Sequence, residues 1–184
     1  TWLTIPVETK GRFKHNRLID TSIDNHIKWQ KKHWRTIEQS YGKTTFFHVY
    51  ANDLRKFYET KYVKLNHICR DMLAYFLKEL GIKTRIVYAS DMDRIQGQKT
   101  LLIMNICKQR GADTYLSGKL GKGYLDEFKF EQESIRLRYQ EFVHPEYHQR
   151  GQAFVPHLSI IDLLFNMGSE SLNVIMQNDR TKLR

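Results

Sequence analysis

Lys83-Thr84-Arg85-Ile86-Val87-Tyr88, Thr114-Tyr115-Leu116-Ser117 and Ile135-Arg136-Leu137-Arg138-Tyr139-Gln140 are three short extended-looking runs with helical stretches between them. In the last, Ile135, Leu137 and Tyr139 alternate with Arg136, Arg138 and Gln140, the period of two that marks a half-buried strand. From Gln98 to Arg110 the chain reads as a helix stopped by Gly111, and Tyr124 to Phe130 reads as another. Strands alternating with helices from residue 83 to 142 predict right-handed crossovers. The fold class expected is therefore α/β: a mixed or mostly parallel sheet with helices on both faces, a Rossmann-like three-layer arrangement.

Upstream, Lys64 to Leu80 predicts an amphipathic helix with Leu65, Ile68, Cys69, Met72, Leu73, Phe76, Leu77 and Leu80 on one face and Gly81 as its stop. A helical stretch starting at Asn52 or Asp53 and breaking near Thr60 precedes it. Asp24 or Asn25 can cap a helix running to about Ser40, with Ile27, Trp34, Ile37 and Tyr41 on one stripe and Trp29, His33 and Thr36 opposite. Such a helix is either covered on both sides or lines a site with one of them. Trp2 to Val7 reads as a strand, and Leu18-Ile19 as the start of another. Downstream, Ser159 and Asp162 stand as an N-cap and its reciprocal partner for a short helix ended by Gly168, with Leu158 as a staple against Leu163. A nucleophile-and-base reading of the same pair is the weaker one.

The chain has 184 residues, 41% of them apolar and 27% charged. At roughly 150 residues per domain this is one domain, residues 1–184, large enough to fold without a metal or disulfide. Composition excludes fibrous and fully disordered classes, and no apolar run approaches a membrane span. Thirty Lys and Arg against twenty Asp and Glu leave +10, which favours an anionic partner such as a nucleic acid, a nucleotide or a phosphorylated carrier. Two cysteines, Cys69 and Cys107, with no CxxC fit a reducing, cytoplasmic setting and read as core residues. The first residue is Thr1, so the natural N-terminal segment is expected to be missing.

Four constellations carry candidate chemistry. The turn Gly118-Lys119-Leu120-Gly121-Lys122-Gly123-Tyr124 lies between a strand and a helix. Glycines there would let backbone N–H groups approach an anion, and Lys119 and Lys122 would add charge. Its spacing matches neither a P-loop nor a dinucleotide fingerprint, and the plainer alternative is a surface turn. His144-Pro145-Glu146-Tyr147-His148-Gln149 supplies a histidine suited to proton transfer. Pro145 argues against His144 and His148 sharing a helix and a metal, so no metal site is expected. The segment Lys10 to Arg17 interleaves cations with Phe13 and His15 and could grip a nucleic-acid strand or one diphosphate, or be a solvated loop. Trp29, Lys32 and His33 fall close together on the first helix.

Several of these residues carry a resemblance. The run Tyr115-Leu116-Ser117-Gly118, Gly121, Tyr124-Leu125, Phe130, Ile135, His144-Pro145, Tyr147, Gln149, Phe154, Pro156, Leu158 to Asn166 and Gly168 resembles the WbqC-like protein family. Trp2 to Val7, Trp29, Lys32-His33, Ile37, Tyr41 and Phe46-Phe47 extend the match upstream. The family's usual N-terminal segment with a His-Gln-Pro motif is absent here. The resemblance implies a transferase of O-antigen-type surface-polysaccharide synthesis, which attaches glycine or another acyl group to an amino sugar on a nucleotide or lipid-diphosphate carrier. In that setting His144 is the expected general base, with Tyr147, Gln149 and His33 completing the catalytic set. Gly118, Lys119, Gly121, Lys122, Tyr124 and Arg17 are the expected phosphate and substrate contacts. No tightly bound cofactor is expected. The acyl donor arrives activated, as an acyl-CoA, an acyl carrier or an acyl-tRNA. The alternative is a non-catalytic module binding nucleic acid or a phosphate-bearing ligand.

Overall fold

The computed structural model describes residues 1–8, 17–151, 153–177, 179 and 181. These form a mixed α/β protein with helices α1 (Trp29–Tyr41), α2 (Phe47–Glu59), α3 (Leu65–Glu79), α4 (Lys99–Gln109), α5 (Glu127–Gln132), α6 (Ile160–Met167) and α7 (Ser171–Gln177) and strands β1 (Thr114–Ser117) and β2 (Arg136–Tyr139). By contacts the chain divides into two compact units, Thr1–Thr84 with Glu146–Val174 and Arg85–Pro145 with Ile175–Arg184. Among the described residues no helix is long and apolar enough to cross a membrane.

The second unit contains the one sheet among the described residues. β1 and β2 pair in parallel, Thr114 opposite Arg136 and Ser117 opposite Tyr139. Two parallel strands need a crossover, and α5 supplies it. Asp126 caps α5 by accepting from the Lys129 N–H at 3.3 Å. The expected alternation on β2 is present: Leu137 and Tyr139 are half-buried, Arg136 and Arg138 exposed. Met104, Cys107, Leu125, Phe130 and Ile135 form the core, with the Tyr115 ring stacked on Phe130 at 5.8 Å.

The first unit is helical. Ile37, Tyr50, Leu54, Leu164 and Phe165 form one core cluster, and Ile23, Trp29 and Ile68 form another. On α1 the buried positions are Trp29, His33 and Ile37, while the Ile27 assigned to the apolar stripe is 52% exposed. Trp34 and Tyr41 are half-buried, so α1 is covered on both sides. On α3 Ile68 is fully buried, and Cys69, expected in the core, is exposed.

Three strand expectations are corrected. Trp2 to Val7 is no strand: Val7 alone bridges to Ile23. Pro6 has no N–H, and a ladder cannot continue through it. Leu18–Asp20 is a single 3-10 turn, closed by the Asp20 N–H on the Arg17 carbonyl at 2.9 Å. Lys83 to Tyr88 joins no strand ladder or bridge among the described residues and spans the Thr84–Arg85 division between the two units. A β-branched run becomes a strand only where an edge receives it. The multi-strand sheet covered on both faces is accordingly not what the described residues form.

Of the glycines that follow helices with positive φ, Gly81 and Gly168 differ in cost. Gly81 (φ +70°) has nothing near the place of a Cβ. At Gly168 (φ +57°) a Cβ would lie 2.6 Å from Phe46 Cδ1. Gly81→Ala is expected to lose about 1 kcal/mol, from backbone strain alone. Gly168→Ala is expected to lose about 3 kcal/mol, because a ring must also move. Urea unfolding midpoints compare them, and equal losses would show that the Phe46 contact does not set the cost.

Candidate functional site

Helix α6 carries one acid in an otherwise apolar run, Ile160-Ile161-Asp162-Leu163-Leu164-Phe165. Asp162 is 4% exposed. A carboxylate taken out of water must be hydrogen-bonded or it destabilises the fold. Here the Tyr147 hydroxyl donates to Asp162 Oδ2 at 2.7 Å, and Gln149 Nε2 donates to the same oxygen at 2.9 Å. Gln149 also clamps its own loop, giving Nε2–H to the Val155 carbonyl at 2.9 Å and accepting the Val155 N–H at 2.8 Å. One turn along α6, Asn166 donates to the Asp162 carbonyl at 2.8 Å and accepts the Arg150 N–H at 3.0 Å. The Tyr147 ring rests edge-on against Phe154 at 5.4 Å.

Asp162 also acts on Tyr41. Burial first, then the charge and hydrogen bond of Asp162, push the Tyr41 phenol above its ordinary range. Burial and the Asp162 hydrogen bond likewise raise Tyr147 to about 12. Both phenols are therefore protonated at neutral pH and act as hydrogen-bond donors, not as bases. Tyr41 lines a cleft of about 520 Å³ together with Thr36, Ser40, His157 and Ser159, against an apolar wall that includes Leu54 and Phe76. That volume lies within the roughly 300–1,000 Å³ of small-molecule sites.

This arrangement corrects the capping expectation. Ser159 stands at the N-cap of α6 with extended backbone, but its side chain makes no cap hydrogen bond, and the first turn is closed by the Asp162 N–H on the Ser159 carbonyl. Asp162 points to Tyr147 and Gln149 instead of back to the cap. Asp162 is the polar hub that sequence spacing missed. The signal for it was a charge on the buried face of an apolar helix.

The other candidate residues lie as follows. His33 is 5% exposed, edge-on to Trp29 at 5.2 Å and to Tyr58 at 6.2 Å. Burial holds its pKa below the usual range, against an opposing backbone hydrogen bond at Thr4, so the ring is neutral at pH 7. Tyr58 lines the cleft and His33 packs on it. Arg17 is exposed and paired with Asp20 at 2.8 Å; Lys10 to Asn16 lie outside the described residues. These residues and Tyr147 and Gln149 belong to the first unit.

Gly118, Lys119, Gly121, Lys122, Tyr124 and His144 belong to the second. Gly118 leaves the end of β1 into a 3-10 turn, Lys119–Gly123. It is exposed, with open space where a Cβ would go. Gly121 is the glycine the fold requires, since a Cβ there would run into Ser117 Oγ. Lys119 is exposed, and the Lys122 ammonium sits 5.2 Å from the centre of the Tyr139 ring. Tyr124 is 50% exposed. His144 is half-buried, with Nδ1 2.9 Å from the Pro145 carbonyl. A carbonyl can only accept, so Nδ1 carries the proton, and in the neutral ring Nε2 is the basic atom.

The chain matches the WbqC-like protein family over residues 1–174. It is 37% identical over 172 residues to the uncharacterized protein Rv1507c of Mycobacterium tuberculosis, an alignment that covers 92% of this chain and 73% of that one. No solved structure matches it.

Removing the Tyr147 hydroxyl takes one donor from a buried carboxylate, so Tyr147→Phe is expected to lose about 2 kcal/mol. Ser159→Ala, with no cap bond to lose, is expected to change stability by less than about 0.5 kcal/mol. Alkaline pH tests the phenols. Tyr147 titrates near 10 in the unfolded chain and at about 12 when folded. Between those values the unfolded chain has lost a proton that the folded one keeps, so stability falls as pH rises from 10 to about 12. In Tyr147→Phe that fall should be shallower in denaturant titrations, and an unchanged slope would separate Tyr147 from it.

Proposed function

This chain belongs to the WbqC-like protein family, and from that premise we propose that it is a transferase of O-antigen-type surface-polysaccharide synthesis. It would act in the cytoplasm and attach glycine or another acyl group to an amino sugar on a nucleotide or lipid-diphosphate carrier. The observation that carries this reading is the parallel pairing of β1 and β2. Parallel strands end at one edge of their sheet, so the Gly118 turn and the segment leading to His144 both leave the carboxyl edge, where α/β folds place ligands.

In this reading Lys119 and Lys122, with the backbone of the Gly118–Gly121 turn, hold the carrier's phosphates. His144 Nε2 takes the proton from the attacking amine. The amine nitrogen forms a bond to the donor's acyl carbon, the thioester or ester bond of the activated donor breaks, and His144 returns the proton to the departing sulfur or oxygen. Tyr147 and Gln149, pinned by Asp162, fix the chain that follows His144-Pro145. The +10 charge favours the second reading, a binding module for nucleic acid. Salt separates the two, since contacts to many phosphates lose affinity steeply and a single diphosphate site does not.

The test is a thermal-stabilisation screen of amino-sugar nucleotides, followed by incubation of each hit with acyl-CoA and aminoacyl-tRNA donors and mass analysis of the sugar. His144→Gln is expected to lower turnover about a hundredfold or more at unchanged melting temperature. Turnover equal to the unaltered chain's would remove His144 from the chemistry. Stabilisation by no amino-sugar nucleotide would put the binding module first.

A further inference from the structure

The 520 Å³ cleft lined by Tyr41 takes no part in the transferase reading, and its chemistry is one-sided. Lys, Arg, Asp and Glu make up 27% of the chain, yet none of them lines it among the described residues. Its basic groups are His157 and the Thr1 amino group, both on exposed residues. A cation entering the cleft finds no acid on the lining to pair with, and the Asp162 charge that acts on Tyr41 opposes an anion. Moving an ion out of water without a partner is costly, so the lining selects an uncharged ligand.

Two kinds of surface await that ligand, and neither is fully buried. Met72, Phe76 and Ile161 are half-buried and give the cleft its apolar side. Beside them Leu158 is 42% exposed and Trp2 96%, the highest value among the described large apolar side chains. Exposed apolar side chains gathered around one concavity mark a binding surface. The polar side consists of hydroxyls. Thr36 is half-buried, and its Oγ1 donates to the Lys32 carbonyl at 2.9 Å. The Tyr41 phenol, also half-buried, holds its proton in the field of Asp162. A hydroxyl whose proton is committed can only accept, so both oxygens call for donors on the ligand. The exposed Ser159 hydroxyl makes no cap hydrogen bond and can take either role.

We propose that this cleft binds an uncharged amphiphile, a molecule with an apolar body and a neutral head that carries hydroxyl donors. The body lies against Phe76, Met72 and Trp2, and the head donates to the Thr36 and Tyr41 oxygens. The site does not rest on the transferase reading. Its residues are all in the first unit, and His144 and the Gly118–Gly121 turn with its lysines are in the second.

The experiment titrates four probes calorimetrically into the full chain, each below its micelle concentration. Octyl glucoside has both halves, methyl glucoside only the head, octanol the body with a single hydroxyl, and octanoate a charged head. Octyl glucoside is expected to bind, and each of the other three about tenfold more weakly or worse, since each lacks apolar area, donors or neutrality. Thr36→Val, which keeps the side-chain shape but removes the acceptor, is expected to weaken octyl glucoside severalfold. Trp2→Ala is expected to do the same, and at 96% exposure this ring can be removed without disturbing the fold. Phe128→Ala, which removes a 65% exposed ring in the second unit, is the control for unspecific adsorption and is expected to bind as the unaltered chain does. The proposal is overturned if octyl glucoside does not bind at millimolar concentration, or if any of the other probes binds as tightly. It is also overturned if Thr36→Val or Trp2→Ala binds as the unaltered chain does, or if Phe128→Ala loses as much as they do. Failure of the amino-sugar screen would leave all of these outcomes readable.

Discussion

One buried carboxylate organises the first unit. Asp162 sits between apolar neighbours on α6, where an unsatisfied charge would destabilise the fold by several kcal/mol. Its donors, Tyr147 and Gln149, come from a stretch with no regular structure, residues 147–151. That stretch can hold its course only because Asp162 and Asn166, one helical turn apart, take its side-chain and backbone donors. The contacts run both ways: the loop supplies the hydrogen bonds that the buried acid of α6 needs, and α6 accepts the donors of Tyr147, Gln149 and Arg150. A network of this kind is worth more intact than its bonds are singly, and losing one member is felt by all. It also couples to the cleft, because Tyr41 lines the cleft and responds to Asp162.

The second unit depends on a different constraint. Its two strands are short, and a parallel pair this small is stable only if its faces are covered. The crossover through α5 puts Phe130 under β1, stacked on Tyr115, and Gly121 gives the backbone room to turn beneath Ser117. The same turn that closes the core exposes Lys119 and Leu120, the latter 89% exposed. A glycine demanded by packing and lysines left in solvent are thus two consequences of one local geometry, and the first does not by itself argue for an anion.

Much of the fold was legible in the sequence. Periodicity placed α3 and α4 nearly to their ends, because Gly81 and Gly111, both at positive φ, are unambiguous stops. Alternation placed β2 for the same local reason. What was lost depended on partners far along the chain. Lys83 to Tyr88 has strand composition but no described edge to join. Ser159 and Asp162 have the spacing of a reciprocal cap, and spacing cannot show that donors from positions 147 and 149 will claim the acid first. For the candidate site the cluster of His144, Tyr147 and Gln149 reads as one feature in sequence, yet the unit division falls after Pro145, so adjacency in the chain assigns His144 to one unit and the other two to its neighbour.

Net charge raises the same issue of scale. A surplus of ten cations is compatible with a polynucleotide, a nucleotide or no ligand at all. The structure shows many of those cations answered close by: Arg17 by Asp20, Lys56 by Asp53, Lys108 by Glu133, Lys129 by Asp126 and Arg136 by Asp113. Exposed pairs of this kind contribute little stability, but each cancels a long-range field locally. What distinguishes one partner from another is therefore where cations gather without an answering acid. A polynucleotide needs such positions repeated along a track, whereas a single phosphate needs one.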